Sequence, residues 1–141
     1  MKINNFTDYA LRTLMFLATD NQETKLYTSK EIADYYGISY NHIGKIVHKL
    51  STSGYIESIK GKNGGIRLKK HPSKINLKTL FLSLESDLNI VECFNPKISQ
   101  CRISKGCGLK PILKESLQAF TNTLNQYTLE DTLSKRFQQQ K

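Results

Sequence analysis

The sequence predicts a mainly α-helical fold with a small β-hairpin wing: a winged helix-turn-helix followed by a long dimerisation helix. Three observations support this prediction. Two short helical patterns meet at Gly37, a basic glycine-rich hairpin follows them, and a heptad pattern spans residues 109–127. The expected segments are a DNA-binding domain at 1–88, a cysteine loop at 89–108, a dimerisation helix and C-terminal helix at 109–136, and a frayed tail at 137–141.

Composition and charge favour nucleic acid as the partner. The 141 residues include 21 Lys/Arg and 12 Asp/Glu, a net charge of +9. Residues 1–78 hold 13 basic and 6 acidic residues, or +7, and such one-sided basic charge is typical of nucleic-acid-binding proteins. No apolar run suggests a membrane helix or a secretion signal, so we expect no membrane partner and a cytoplasmic protein with reduced thiols. No nucleophile with an adjacent base is evident, so an enzyme is not expected.

The first helix is predicted over residues 6–18. Either Asn5 or Thr7 is suited to cap it, and Asp8 lies in the first turn, where an acid suits the helix dipole. Apolar residues recur along it at helical spacing, at Phe6, Ala10, Leu14 and Leu17.

The helix-turn-helix is predicted between residues 28 and 50. Thr28 to Glu31 forms a capping box, Gly37 ends the second helix, and Ser39 caps the third. The third helix buries Ile43, Ile46, Val47 and Leu50 and presents a polar opposite side. Candidate major-groove residues are Ser39, Tyr40, Asn41, His42 and Lys45, and Thr28 and Ser29 are further candidate DNA contacts.

A β-hairpin is predicted next, because two β-prone runs flank the turn at residues 61–65. A basic hairpin directly after a helix-turn-helix indicates the wing of a winged helix. Lys62, Asn63 and Arg67 are the candidate wing contacts, at the minor groove or the DNA backbone.

The long helix near the C-terminus carries a heptad seam. Its apolar residues step by four and three, at Leu113, Leu117, Phe120, Leu124 and Tyr127. We expect a second copy of the chain to cover this seam, so that the homodimer reads a palindromic operator on double-stranded DNA. The alternative is that the seam packs against its own domain.

The three cysteines of the chain, Cys93, Cys101 and Cys107, lie in a stretch without helical or strand periodicity. Their Cys-x7-Cys-x5-Cys spacing differs from the paired knuckles of structural zinc sites and suits an iron–sulfur cluster held by a loop. A fourth ligand must then come from elsewhere: Asp8, Glu92, His71 or a residue of the partner subunit. The alternative is three unrelated thiols.

The chain resembles the iron–sulfur winged-helix repressors, in particular their nitric-oxide-sensing members. The resemblance rests on Asn5-Phe-Thr-Asp-Tyr-Ala-Leu-Arg12, on Gly61-Lys-Asn-Gly-Gly-Ile-Arg-Leu68, on the three cysteines, and on Tyr127-Thr-Leu-Glu-Asp131. The seven-residue gap between Cys93 and Cys101 is longer than is usual in the family. Lys110 stands where related cluster-sensing regulators have a histidine ligand.

This resemblance implies a homodimeric repressor with one iron–sulfur cluster per subunit, either 4Fe–4S or 2Fe–2S. Cys93, Cys101 and Cys107 would be ligands, and Asp8 would reach across from the partner subunit as the fourth. Nitric oxide would attack the cluster and release the protein from its operator. The alternative within the same family is a regulator that reports iron–sulfur supply or redox state.

Overall fold

The computed structural model describes residues 2–19 and 25–133. Within them, the predicted mainly α-helical fold with a small β-hairpin is confirmed. None of the described helices is long and apolar enough to cross a membrane. The elements, in chain order, are α1 (Asn5–Ala18), α2 (Ser29–Tyr36), α3 (Tyr40–Thr52), β1 (Ile56–Ile59), β2 (Gly65–Leu68), α4 (Leu77–Leu84) and α5 (Leu109–Leu124), with short 3₁₀ helices at Pro72–Lys74, Glu92–Phe94 and Leu129–Thr132.

Helix α1 is capped by Asn4, so the prediction that Asn5 or Thr7 caps it is wrong. The side-chain oxygen of Asn4 accepts a hydrogen bond from the backbone N–H of Thr7 at 2.8 Å. The amide nitrogen of Asn4 donates to Glu85 Oε1 at 2.6 Å, and Glu85 directly follows α4. The start of α1 is therefore tied to the end of α4.

The helix-turn-helix forms as predicted. Thr28 and Glu31 make both bonds of the capping box, and Gly37 adopts a left-handed conformation with φ of +64° at the end of α2. The hydroxyl oxygen of Ser39 accepts from the backbone N–H of His42 at 3.2 Å and so begins α3. The apolar side of α3 is fully buried at Ile43 and Leu50, which fixes the opposite side toward solvent.

The hairpin pairs β1 with β2 in antiparallel register. A third segment joins it, because Tyr27 and Ile66 exchange both backbone hydrogen bonds at 3.0 and 2.7 Å. No pattern in the sequence predicted this pairing. At the turn, Gly61 has φ of +111°, and an added Cβ at Gly64 would overlap the carbonyl oxygen of Ile59. The wing tip therefore depends on its glycines.

The segment after α5 returns to the winged helix. Leu129 is fully buried, and its N–H donates to the carbonyl of Ile75 at 2.8 Å. The N–H of Leu77 donates to the carbonyl of Tyr127 at 3.0 Å. The short C-terminal helix expected after α5 is present as a 3₁₀ helix at Leu129–Thr132, and the rest of that prediction and the tail at 137–141 lie outside the described residues.

The heptad seam on α5 is half-buried within a single chain. The Phe120 ring packs edge-on against Phe81 of α4, with ring centroids 5.5 Å apart. Tyr127 lies beyond the end of the helix and is 47% exposed. Leu109 and Ile112 are 56% and 59% exposed on the same helix. The seam thus packs partly on its own domain, and Leu109 and Ile112, which are not among the five seam residues, leave further exposed apolar surface on α5.

Candidate nucleic-acid interface and cysteine loop

The polar side of α3 is an exposed, gently concave surface. A shallow recess of about 470 Å³ lies on it, lined by Tyr40, Asn41, Gly44, Lys45 and His48. All five are exposed, and Tyr40 is 62% accessible. The structure therefore brings together three of the predicted major-groove residues. Gly44 had no predicted role, although a glycine inside a helical pattern is itself a signal.

The start of α3 is held from two directions. Ser39 accepts the capping bond with its hydroxyl oxygen, which leaves the hydroxyl proton for an outside acceptor. His42 is exposed, and its ring centroid lies 6.4 Å from that of Tyr9 on α1. This ring pair is a contact between α1 and the first turn of the candidate reading helix.

Thr28 and Ser29 stand at the start of α2. The hydroxyl of Thr28 donates to Glu31 Oε2 at 3.1 Å and accepts from the Glu31 N–H at 3.2 Å, so it already serves the helix cap. Ser29 is half-buried. A DNA contact by Thr28 would have to use or replace the capping bonds.

The wing offers two kinds of basic residue. Lys62 and Asn63 are exposed at the tip. Arg67 is half-buried, and its Nε donates to Glu57 Oε1 at 2.7 Å across the hairpin. The strand register places these two residues directly opposite each other. The Arg67 guanidinium is thus positioned by Glu57, whereas Lys62 projects from the tip.

The three cysteines are free and half-buried. Cys93 lies in the 3₁₀ helix Glu92–Phe94, and Cys101 precedes a run of turns that ends before Cys107. Across residues 2–19 and 25–133, no three His, Cys, Asp or Glu side chains converge into a group that would hold a metal ion. Three thiols in one loop are a donor set that fits an iron–sulfur cluster, but the loop has to draw them together to bind it.

Asp8, the predicted fourth ligand, forms a bidentate ion pair with Arg12. The two bonds measure 2.8 Å to Oδ2 and 3.1 Å to Oδ1, and both side chains are partly exposed. The Arg12 guanidinium lies 5.7 Å from the ring centroid of Tyr9, and the Arg12 carbonyl accepts the hydroxyl of Tyr36 at 2.9 Å. Burial, aided by Tyr35 and opposed by Arg12, raises the pKa of Tyr36, which keeps that hydroxyl a donor. A metal ion at Asp8 would compete with Arg12.

The other candidate fourth ligands differ in their surroundings. Glu92 is exposed and adjoins Cys93. His71 caps the 3₁₀ helix at Pro72–Lys74, since its Nδ1 accepts from the Ser73 N–H at 3.3 Å and lies 2.7 Å from the Ser73 hydroxyl. Ligation by His71 through Nδ1 would cost that cap.

A helix-turn-helix, a basic wing and a cysteine loop together define a DNA-binding regulator of the winged-helix class. The chain belongs to the Rrf2 family, described as iron-dependent transcriptional regulators, whose family model matches residues 3–135. The resemblance to iron–sulfur winged-helix repressors is thereby confirmed, and the chain is a DNA-binding transcriptional regulator of this family.

Relatives and solved structures agree with this assignment. The chain is 48% identical over 133 residues to the HTH-type transcriptional regulator NsrR of Bacillus licheniformis, covering 94% of this chain and 92% of the relative. It is 44% identical to NsrR of Bacillus subtilis, in a match that covers 96% of this chain and 92% of the relative. CymR, the global cysteine regulator of B. subtilis, superposes with a TM-score of 0.73 at 25% identity, covering 94% and 95%. IscR of T. potens superposes with a TM-score of 0.73 at 20% identity, covering 94% of this chain and 85% of that structure. At this identity the similarity shows the fold alone.

Proposed function

We propose that this chain represses its target genes while it carries an iron–sulfur cluster, and that nitric oxide releases it from its operator. The observation that carries the proposal is the loop of three free, half-buried cysteines between the winged helix and α5. It occurs in a chain 42–48% identical to several regulators named NsrR. Nitric oxide is proposed as the effector because the chain resembles nitric-oxide-sensing repressors.

The cluster ligands would be Cys93, Cys101 and Cys107, with Asp8 of the partner subunit as the fourth. When bound, the cluster supplies iron that nitric oxide attacks. The chain itself would bring the three thiols together and exclude water around them. The three cysteines are already half-buried, which supports the exclusion of water. Measuring the iron and sulfide bound per subunit would distinguish a 4Fe–4S from a 2Fe–2S cluster.

Ligation by Asp8 gives a physical link between the cluster and DNA. Asp8 lies on α1, which also carries Tyr9 beside His42 at the start of α3. A bond from α1 of one subunit to the cysteine loop of the other therefore fixes the relative placement of the two α3 helices. Losing that bond frees Asp8 to pair with Arg12 and changes the spacing between the two reading helices.

DNA contacts are proposed on α3 and the wing of each subunit. Asn41 and Lys45 project from exposed positions suited to base edges. Phosphate or wing contacts are assigned to a second group: Ser39, Tyr40, His42, Thr28, Ser29, Lys62, Asn63 and Arg67. The division into a DNA-binding domain at 1–88, a cluster loop at 89–108 and a dimerising α5 follows from the same assignment.

The exposed apolar surface of α5 supports the homodimer. Leu109 and Ile112 are more than half exposed in a single chain, and Leu117 and Phe120 are half-buried beside them. Apolar surface of this kind on a long helix favours pairing with a second helix. The proposed thiolate ligands need reduced cysteines, which supports a location in the cytoplasm, where cysteines stay reduced.

The proposal is tested on anaerobically reconstituted protein. Wild type is expected to gain iron, sulfide and a visible absorption band, and Cys101→Ala is expected to lose most of each. Asp8→Ala is expected to retain less cluster or a more labile one. Ser104→Ala, a change in the same loop that removes no sulfur, serves as the matched control. A colourless, iron-free wild type would exclude the cluster.

Operator release separates the proposal from its alternative. Cluster-loaded wild type is bound to operator DNA and exposed to stoichiometric nitric oxide or, separately, to oxygen. Release by nitric oxide at a few equivalents per cluster supports the proposal. Release that follows oxygen or cluster loss, with no response to nitric oxide, assigns the chain to redox or iron–sulfur-status sensing instead.

A further inference from the structure

Gly44 occupies a position in α3 where the folded chain itself does not require glycine. It lies in the middle of the helix Tyr40–Thr52, where glycine weakens a helix more than any residue except proline. Its φ is not among the positive values found at Gly37, Gly54 and Gly61. An added Cβ would meet nothing within 4 Å. Alanine would therefore fit and would stabilise the isolated protein.

Gly44 instead forms the floor of the recess on the exposed side of α3. Asn41 and His48, three residues before and four after it, lie on the same face of the helix, and Lys45 lines the recess at one side. Tyr40 closes the recess at the N-terminal end. The missing side chain thus leaves the helix backbone accessible beside Asn41, one of the two candidate base-reading residues.

We infer that Gly44 is a specificity-determining residue, whose missing side chain lets a base-pair edge of the operator approach α3 closely enough for Asn41 to reach it. The inference rests on the proposed placement of α3 in the major groove. That groove is about 12 Å wide and an α-helix with side chains is about 10–12 Å across, so the fit is tight. Glycine is the residue that permits such close backbone approach.

The lengths of the neighbouring side chains explain why Asn41 is the residue affected. An asparagine amide ends close to the backbone, so any bulk at position 44 that lifts the helix away withdraws it from the base. The ammonium of Lys45 is carried on a flexible four-carbon stem. It can therefore still reach a base when the helix lies farther from the groove floor. Asparagine makes paired hydrogen bonds with adenine, so recognition of an adenine is the contact at stake.

The test uses cluster-loaded protein and a pool of random-sequence DNA duplexes. Wild type first selects its preferred sequence from the pool, and Gly44→Ala and Gly44→Leu are then compared on that sequence and on unselected duplexes. Alanine and leucine are both strong helix formers, so both variants should melt at or above the wild-type temperature. Thr52→Leu, at the end of α3 and about two turns after Gly44, is the control for an added exposed leucine.

Gly44→Leu is expected to lose about tenfold or more in affinity for the selected sequence, as for one lost paired base contact, while unselected duplexes bind within about twofold of wild type. Gly44→Ala should lose less, because size and not helix flexibility is at issue. Asn41→Ala should relax preference at the same base pair. The double variant Gly44→Leu/Asn41→Ala should bind no worse than the weaker single variant.

Several results would overturn the inference. Gly44→Leu that binds the selected sequence within about twofold of wild type removes Gly44 from the interface. Equal losses on selected and unselected DNA place it against the phosphates rather than a base. Equal losses of affinity for Gly44→Ala and Gly44→Leu would indicate that binding needs the flexibility of glycine in α3 and not its small size. Wild type that selects no sequence overturns this inference and the proposed function together, whereas the other results leave the proposed function standing.

Discussion

Replacing Asn4 with alanine tests whether one side chain fixes the start of α1. The Asn4 oxygen caps α1 through the N–H of Thr7 at 2.8 Å, and its amide nitrogen donates to Glu85 at 2.6 Å. The backbone N–H of Asn4 also faces Glu85 Oε2, at 3.4 Å. Alanine keeps only this last, longest contact.

The expected loss follows from the two deleted bonds. A helix N-cap contributes about 1 kcal/mol. A hydrogen bond to a charged carboxylate contributes about 1.5–3 kcal/mol, and the partial exposure of this one argues for the lower end. Asn4→Ala should therefore lower the free energy of unfolding by about 2–3 kcal/mol, a large share of the stability of a small domain.

Urea unfolding of the cluster-free protein, followed by circular dichroism at one fixed protein concentration, measures this loss. Asn4→Ser keeps a capping oxygen but ends one bond too early to replace the amide donor, so it should lose about half as much as Asn4→Ala. Asn4→Asp keeps the cap and turns a second carboxylate toward Glu85, so it should be less stable than Asn4→Ser. Equal stability of Asn4→Ser and wild type would show that the bond to Glu85 contributes nothing and would refute the reasoning.

Two further predictions concern the wing. Lys62→Ala should weaken binding about equally for all DNA sequences and reduce the slope of log affinity against log salt by about one unit, measured by titration at several salt concentrations; an unchanged slope would remove Lys62 from the interface. Gly64→Ala should distort the hairpin tip, because its Cβ would overlap the Ile59 carbonyl, and should lower both the melting temperature and DNA affinity. An unchanged melting temperature for Gly64→Ala would mean that the tip rearranges without strain.

The elements that the sequence predicts well are those that depend on neighbouring residues alone. Thr28 and Glu31 cap each other across three residues, and Gly37 ends α2 through its own backbone conformation. Ser39 begins α3 in the same way. Each of these motifs is complete within one turn of helix, so no tertiary information is needed to recognise it.

Features that join distant parts of the chain were missed. Asn4 is selected as the cap of α1 by Glu85, which lies 81 residues away. The pairing of Tyr27 with Ile66 and the ion pair between Arg67 and Glu57 require the register of the hairpin. No local pattern encodes these partners.

The candidate site also has a part that depends on neighbouring residues and a part that depends on distant ones. The exposed surface around Asn41 and Lys45 follows from helical periodicity and is present in the folded single chain. The proposed cysteine ligand set does not follow in this way, because among the described residues the three thiols do not converge, and the proposed ligation by Asp8 would need a second subunit. The heptad spacing on α5 predicted apolar contact, but not that Phe120 meets Phe81 of the same domain while Ile112, outside the seam, stays exposed.

The anchoring of α5 at its far end has an evolutionary consequence. Because Leu129 and Tyr127 hold that end against the winged helix, the position of α5 does not depend on the length of the connection formed by residues 85–108. Adding two residues to a 24-residue connection raises its closure entropy cost by only about 0.1 kcal/mol. Insertions between the cysteines are therefore nearly neutral for folding. Cysteine spacing, and with it the chemistry of the cluster proposed for this loop, can diverge among relatives while the winged-helix architecture stays unchanged.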